Sequence, residues 1–242
     1  MSRQEARILP DPSRRESALV ASMFTDISQT YDRLNHLLSL NVDRWWRRCA
    51  VKAMAPEDGG VYLDLCTGTG DMGFALLRRA KAKVVGLDFS PGMLGLAKKK
   101  GAGGKNFPLV RGDSLNLPLR DSSVDGVIVA FGVRNFETLS TGIGEAARVL
   151  RTGGKLVILE LSKSSGGLHG ALFNLYFKVI LPRVGRLISG TGGAYRYLPE
   201  SVESFPAATE LHAIIENHGM KVYRYRALTG GIAGLHCAVR GA

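Results

Sequence analysis

Cysteine is scarce in this chain of 242 residues. Cys49, Cys66 and Cys237 are far apart and odd in number, which excludes a disulfide framework and offers no zinc-ligand spacing. Such usage fits a reducing cytoplasm. Long apolar runs are missing too. No window approaches the roughly 18 uncharged apolar residues of a membrane span, and the opening MSRQEARILPDPSRRE mixes both charge signs without the apolar core of a secretory signal. If the protein meets a membrane, it is expected to lie on it. Acids are in deficit: 21 Asp+Glu stand against 32 Lys+Arg, a net charge of +11. Anionic partners such as a membrane surface, nucleic acid or a phosphate-bearing ligand are therefore electrostatically favoured. There is no internal repeat and no low-complexity tract, and 45% hydrophobic with 22% charged residues argues against wholesale disorder. The length suffices for a full core in one domain with an added segment.

Residues 1–22 read as a flexible arm and 23–242 as a single domain. Apolar residues at helical spacing (Ile27, Tyr31, Leu34, Leu37, Leu38) predict a helical cap over 23–57. It contains the tract Arg44-Trp45-Trp46-Arg47-Arg48, either a helix with tryptophan in the core and arginine in solvent or an interfacial anchor. The pattern then changes. Strand-length runs Val61–Cys66, Val84–Asp88, Phe107–Gly112, Val124–Phe131 and Lys155–Leu161 alternate with helices from about Asp71, about Pro91 and over Leu139–Leu150, the mark of right-handed crossovers and a mostly parallel sheet covered on both faces. Ser90-Pro91 is an N-cap with proline at the first helical position, and Arg151–Gly154 reads as a helix stop. The rhythm breaks over about 163–198, where Leu168, Leu172, Leu175, Tyr176, Val179 and Ile180 form a helical stripe near Lys178, Arg183 and Arg186: core helix, lid or membrane-surface helix. A helix from after Glu200 to about His218 and strands Lys221–Ala227 and Ile232–Val239 close the chain.

The most informative stretch is DLCTGTGD, Asp64 to Asp71, between a strand and a helix. Gly68 and Gly70 let the backbone turn sharply and admit a ligand close to its N–H groups at the positive end of a helix. With Gly73 they complete G-x-G-x-x-G, a spacing that also arises in ordinary turns. The acids discriminate better. Asp64, at the strand end, suits a ligand ammonium and would repel a pyrophosphate. Asp88, eighteen residues after Gly70, is placed to accept both hydroxyls of an adenosine ribose. Asp113, with Ser114, ends the third strand and suits the exocyclic amine of adenine. Any one of these acids could be a helix cap, but three in this order suit S-adenosylmethionine, which carries ammonium, ribose, adenine and a sulfonium.

The chain resembles the class I S-adenosylmethionine-dependent methyltransferases, and specifically the ubiquinone/menaquinone biosynthesis C-methyltransferase family of the UbiE and MenG type, from about Met23 to Arg240. MFTDISQTYDRLNHLLSLNVDRWWRR, YLDLCTGTGDM, LPLRDSSVDGVIVAFGVRNF, ELSKS, LPRVGRLISG, YRYLPESVESFP and LTGGIAGLH carry the resemblance, and FGVRNF with YRYLPES is far more specific than the glycine turn. It implies an α/β Rossmann-like, mostly parallel seven-stranded sheet with helices on both faces. It also implies cofactor contacts from Thr69, Asp88, Asp113 and Ser114, with Asp64, Gly68 and Gly70 in the shared turn. Two departures stand out. Ala130 replaces a serine that some relatives place before FG, reducing that cofactor contact to backbone, and Thr67 occupies a position often taken by glycine.

Members of this family methylate a ring carbon of a polyprenylated quinol, so the resemblance implies demethylmenaquinol, the 2-polyprenyl-6-methoxy-1,4-benzoquinol of ubiquinone biosynthesis, or both as substrate. A phenol of pKa about 10 becomes a better carbon nucleophile when a base takes its proton or a cation stabilises the oxyanion. Arg134 is the expected phenolate stabiliser, unless it pairs with a structural carboxylate, and Asn135 is expected to orient a hydroxyl. Tyr31 and Asp32 are second-tier contacts from the cap, and Asp71 is a candidate base whose simplest reading is a helix N-terminal acid. His36, His169, His212, His218 and His236 show no close cluster, with His236 a pocket neighbour at most. No metal is called for. The polyprenyl tail and the basic charge together predict peripheral attachment at the cytoplasmic face of a membrane, through Leu168–Ile188 and Trp45-Trp46, and leave room for a homodimer. A dehydrogenase is disfavoured by Asp64. An RNA methyltransferase or another small-molecule methyltransferase is the alternative, although Lys98-Lys99-Lys100 reads as a helix end rather than a nucleic-acid groove, so no nucleic-acid partner is expected.

Overall fold

The computed structural model describes residues 39, 41–102, 104, 107–162 and 193–241. The expected arm, the early helices with Tyr31 and Asp32, and most of the inserted segment, including Leu168–Ile188, lie outside the described residues. The described elements are α1 (Val42–Met54), β1 (Val61–Leu65), α2 (Asp71–Arg79), β2 (Lys83–Asp88), α3 (Pro91–Gly101), β3 (Leu109–Arg111), β4 (Val124–Ala130), a 3-10 turn Val133–Asn135, α4 (Leu139–Val149), β5 (Leu150–Leu161), α5 (Gly193–Glu203), α6 (Ala208–Asn217), β6 (Met220–Leu228), a second 3-10 turn Thr229–Gly231, and β7 (Ala233–Arg240).

The strands form one seven-stranded sheet in the order β3-β2-β1-β4-β5-β7-β6. β1 to β5 are parallel, and β7 runs antiparallel between β5 and β6. Leu63 in the central strand lies opposite Val85 of β2 and Val127 of β4, which is why β1 reads as a continuous apolar run: both of its faces are covered. Strand periodicity sorts the core into two layers. Leu63, Leu65, Val127, Val129 and Ile158 face α4 and α6. Tyr62, Ile128, Val157, Leu235 and Cys237 face α1 and α2, where Trp46, Ala50 and Met54 supply the i, i+4, i+8 stripe of α1. Chain order reverses between β2-β1 and β4-β5, so the crevice for a ligand opens at the carboxyl ends of β1 and β4.

Local signals hold at α3, where the Ser90 side chain accepts from Met93 N at 3.3 Å, Pro91 opens the helix and Lys98 to Lys100 close it. Elsewhere the structure corrects the sequence reading. Arg151–Gly154 belongs to β5, whose pairing with β4 jumps from Val124–Leu150 to Gly126–Lys155, so these residues bulge out of the ladder. Phe107 precedes β3 rather than starting it, and its ring fills the core at 5.0 Å from Phe74. The last helix is two helices, because Pro206 has no N–H and restricts the buried Phe205 before it. In the RWWRR tract Trp46 is buried and donates Nε1–H to Thr229 Oγ1 at 2.8 Å, while Trp45 is 40% exposed.

The histidines are also corrected. His212 of α6 and His236 of β7 meet at 2.9 Å, with the Tyr225 ring 4.8 Å from that of His236. His236 is therefore beneath α6, not beside a ligand pocket. Burial first, and then its histidine neighbour, push its pKa from 6.5 down to about 3. Between these values the unfolded chain binds a proton that the folded chain refuses, so stability falls as pH falls, by about 2 kcal/mol at pH 5. We expect urea unfolding of His236→Gln at pH 7 and pH 5 to show a loss smaller than wild type by about that amount. Parallel losses in the two proteins would refute a neutral buried imidazole.

Candidate active site

After β1 the chain turns through Cys66 at φ 54°, Gly68 at φ 56° and Gly70 at φ 86°. Gly70 is the N-cap of α2; both glycines sit where a side chain is strained. Gly73 is required for a different reason: a Cβ there would run into the Phe107 ring. The turn is held by carboxylates. Asp64 Oδ2 accepts from Thr67 Oγ1 at 2.5 Å and from Gly73 N at 2.8 Å. Asp88 Oδ2 accepts from Gly68 N and its Oδ1 from Ser90 N, both at 2.8 Å. Thr67, the departure from the usual glycine, thus has a structural partner in Asp64.

A cavity opens over this turn. Its wall includes Gly68, Thr69, Asp71, Asp88, Asp113, Ser114, Ala130 and Asn135, eight of the residues singled out from sequence. Asp113 Oδ1 accepts from Leu115 N at 2.9 Å, which leaves the loop folded over the third strand end. Ser114 Oγ and Cys66 Sγ are 3.4 Å apart. Asp64 is not in the wall. It is 1% exposed, and burial raises its pKa to about 7 against the opposing bonds from Thr67 and Gly73. From sequence Asp64 is expected to face a ligand ammonium directly or through water; in the structure its carboxylate lies beneath the turn, engaged by Thr67 and Gly73. Burial also raises the pKa of Asp88, opposed by the N–H groups of Ser90 and Gly68.

Of the candidates for catalysis, Asn135 lines the cavity and its Oδ1 accepts from the Tyr197 hydroxyl at 3.1 Å, which joins the FGVRNF and YRYLPES stretches in space. Arg134 does not line it. Its guanidinium Nη1 donates to Glu160 Oε1 at 2.7 Å and to the Phe131 carbonyl at 2.6 Å, and its backbone N–H donates to Glu160 Oε2 at 3.2 Å. Both side chains are buried, and of the two readings of Arg134 the structure shows the pairing with a structural carboxylate, which ties down the turn that carries Asn135. Asp71 lies at the rim with Lys100 Nζ 2.8 Å away, and the same ammonium donates to Thr69 Oγ1 at 3.0 Å. It is an ion-paired acid at the start of α2, which fits the simpler of its two readings.

Sequence reasoning missed Arg47, Phe131, Glu137 and Tyr197. Arg47 reaches the wall with its guanidinium over the Phe131 ring at 5.3 Å, and Phe131 itself lies 6.1 Å from Trp46. Helical phase offered a signal for Arg47, since the residue beside a buried Trp46 points to another side, but it did not say what lay there. Tyr197 and Glu137 stand in or next to the specific stretches quoted above, without a spacing that implies a role.

The wall fits an adenosyl sulfonium ligand. Acids close two neighbouring strand ends, a third acid lies beneath the turn, and a helix N-terminus faces the space. Together with the reversed seventh strand these features define a class I S-adenosylmethionine-dependent methyltransferase. The model of the ubiE/COQ5 methyltransferase family matches residues 13–240, and the chain belongs to that family. It is 48% identical over 219 residues to a Deinococcus radiodurans protein named demethylmenaquinone methyltransferase, covering 89% of this chain and 90% of the relative. It is 42% identical over 221 residues to a Syntrophotalea carbinolica protein named ubiquinone/menaquinone biosynthesis C-methyltransferase UbiE, covering 90% and 92%. In fold it matches a crystal structure of a SAM dependent methyltransferase from Aquifex aeolicus with TM-score 0.58 at 21% identity, over 79% of this chain and 88% of that one.

Breaking the buried pair should be costly, because a lone charge would remain in the core. Glu160→Gln is expected to lower the unfolding free energy by about 3–5 kcal/mol in denaturant titration. A loss no larger than that of a surface substitution would contradict the anchoring role.

Proposed function

We propose that the protein methylates a ring carbon of a reduced polyprenyl quinone, demethylmenaquinol first, with the 2-polyprenyl-6-methoxy-1,4-benzoquinol of ubiquinone biosynthesis as the second substrate. The observation that carries this reading is Asn135, which stands in the wall of the cofactor cavity with its amide oxygen held from behind by the Tyr197 hydroxyl. The names of the two relatives, one specific to menaquinone and one covering both quinones, support the order of preference.

S-adenosylmethionine, when bound, supplies a methyl group already activated on a sulfonium. In this reading Asp88 accepts from the ribose hydroxyls, Asp113 and Ser114 hold the adenine, and the Thr69 and Gly68 region closes over the chain between them. Arg47 takes the methionine carboxylate, since it brings a cation to a wall otherwise dominated by Asp71, Asp88, Asp113 and Glu137. Asp64 supports the methionine ammonium through the turn. On the acceptor side the Tyr197 hydroxyl fixes the Asn135 amide oxygen, which turns the amide N–H groups toward a quinol oxygen and stabilises its developing negative charge. Phe131 and Phe136, also in the wall, give the ring an apolar seat and exclude water. The isoprenoid tail keeps the substrate in a bilayer, so the protein works at the cytoplasmic membrane surface. The charge of +11 supports this, and no helix among the described residues is long and apolar enough to cross a membrane.

The first experiment is methyl transfer from labelled S-adenosylmethionine to reduced demethylmenaquinone and to the reduced ubiquinone precursor, side by side in detergent. Label in either ring supports the reading and names the substrate. No label in either, with cofactor binding intact, would retire the quinone and send the search to RNA and other small acceptors. Asp88→Asn and Arg47→Ala are each expected to weaken cofactor binding at least about tenfold in calorimetry with the fold retained. Asn135→Ala should leave that affinity in place and lower kcat about 10²-fold. An Asn135→Ala enzyme with unchanged turnover would remove Asn135 from the chemistry.

A further inference from the structure

The face formed by α1 and the edge strand β6 has a composition that neither the cofactor site nor the core explains. β6 is the outermost strand beside β7. Helix α1 lies over β5 and β7, and the Tyr223-Arg224-Tyr225-Arg226 run of β6 is exposed. Tyr223 is 46% exposed, and Trp45 of α1 joins it with the Arg226 guanidinium 5.8 Å from its ring, while Tyr225 turns to the other face of the sheet against His212 and His236. Arg44, Arg48 and Lys52 are exposed on α1, and Lys221, Arg224 and Arg226 on β6. β6 carries no acid. The acid of α1, Asp43, is buried, accepts from Ser39 Oγ at 2.7 Å and lies 3.6 Å from Arg47.

Cations alone would be ordinary here, since charged residues on an edge strand prevent strand-to-strand aggregation. Exposed aromatic rings work against that purpose. Trp and Tyr beside Arg and Lys are instead the composition that seats at a lipid-water interface, with rings at the headgroup level and cations on anionic headgroups. Position adds a second argument. β6 is parallel to β1 through β5, because β7 is antiparallel to both β5 and β6. The Arg226 end of β6 therefore lies at the same end of the sheet as the cavity. Trp46 ties that end down through Thr229, and Arg47, the next residue, is in the cavity wall. The basic-aromatic face thus runs up to the cavity rim.

We propose that the α1–β6 edge is the surface by which this protein sits on an anionic phospholipid bilayer, with the cavity mouth turned toward the lipid. The inference rests on the quinone reading for its purpose, since a bilayer-dissolved substrate requires such an approach. Its physical content, binding of anionic lipid by these residues, is independent of that reading. Trp45 and Tyr223 enter the headgroup layer, and Arg48, Arg224 and Arg226 meet its phosphates.

The test uses the full chain with phosphatidylcholine vesicles prepared with and without phosphatidylglycerol. Wild type should sediment with the anionic vesicles and not with the neutral ones. Arg224→Glu with Arg226→Glu should lower the partition coefficient by at least about 25-fold, given roughly fivefold for each cation lost at a charged surface. Trp45→Ala, which leaves the strand untouched, should lower it as well and should abolish quenching of tryptophan fluorescence by brominated lipid, because Trp46 is buried. Cofactor affinity and melting temperature of each variant should match wild type. A short-tailed quinol in solution separates the two readings: the variants should methylate it as wild type does, while falling behind on long-tailed quinol in vesicles. If wild type fails on the short quinol but still binds anionic vesicles, the substrate reading falls and the docking face stands. The docking proposal is overturned if the charge-reversed variant sediments like wild type, if light scattering finds the substitutions dissociating a dimer, or if wild type binds an RNA oligonucleotide in preference to the vesicles.

Discussion

The active end of the molecule depends on one buried carboxylate. Asp64 ends the central part of β1 with 1% of its surface exposed, where an isolated charge is strongly disfavoured. Its Oδ2 takes a hydroxyl hydrogen from Thr67 and a backbone hydrogen from Gly73, and these bonds favour the ionised form against the burial that raises its pKa to about 7. The same two bonds span the glycine turn, joining the strand end to its middle and to the first turn of α2. They hold Cys66, Gly68 and Gly70 at positive φ, a shape that the chain would not otherwise keep. Asp88 repeats the device from the next strand by accepting from Gly68 N. The carboxylates at the ends of β1 and β2 therefore build the turn, and the turn faces the N-terminus of α2 into the cavity.

Across the crevice a buried ion pair does the equivalent work. Arg134 lies in the 3-10 turn after β4 and Glu160 near the end of the neighbouring parallel strand β5, and the carboxylate also accepts from Arg134 N at 3.2 Å and from Leu161 N at 2.8 Å. Such a pair adds little net stability over apolar residues of similar volume, since both charges lose hydration. Its value is geometric. It ties the loop after β4 to β5, so that the 3-10 turn Val133–Asn135 can present Asn135 to Tyr197 from α5. Arg134 and Asn135 of FGVRNF, Glu160 of ELSKS and Tyr197 of YRYLPES, which are far apart in the chain, are one assembly in the fold.

The fold was legible in the sequence where local periodicity and capping determine structure. Strands buried on both faces read as near-continuous apolar runs, Ser90-Pro91 marks the start of α3, and the acids fall at strand ends where the topology opens a crevice. What was not legible is which partner each polar residue takes. Nothing in the spacing tells that Arg134 meets Glu160 rather than a substrate, that His212 meets His236, or that Asp64 spends its oxygen on the turn. These pairings span 24 to 26 residues in the histidine and arginine cases, and they follow from how layers stack, not from any local pattern. Arg47 was lost for the same reason: its helix was legible, but the neighbour of that helix face was not.

The tract Arg44–Arg48 condenses the design. Successive residues of a helix are rotated by about 100°, so Trp45, Trp46 and Arg47 point in three directions. Trp46 enters the core and bonds Thr229, Arg47 reaches the cavity over Phe131, and Trp45 stays at the surface under Arg226. The two tryptophans are therefore not redundant: one belongs to the core and the other to the surface. Because Trp46 fixes the rotation of α1 about its axis, it also sets where its neighbours point. The orientation of the arginine at the site and of the indole at the surface is thus controlled by one packed ring and its hydrogen bond to the turn between β6 and β7.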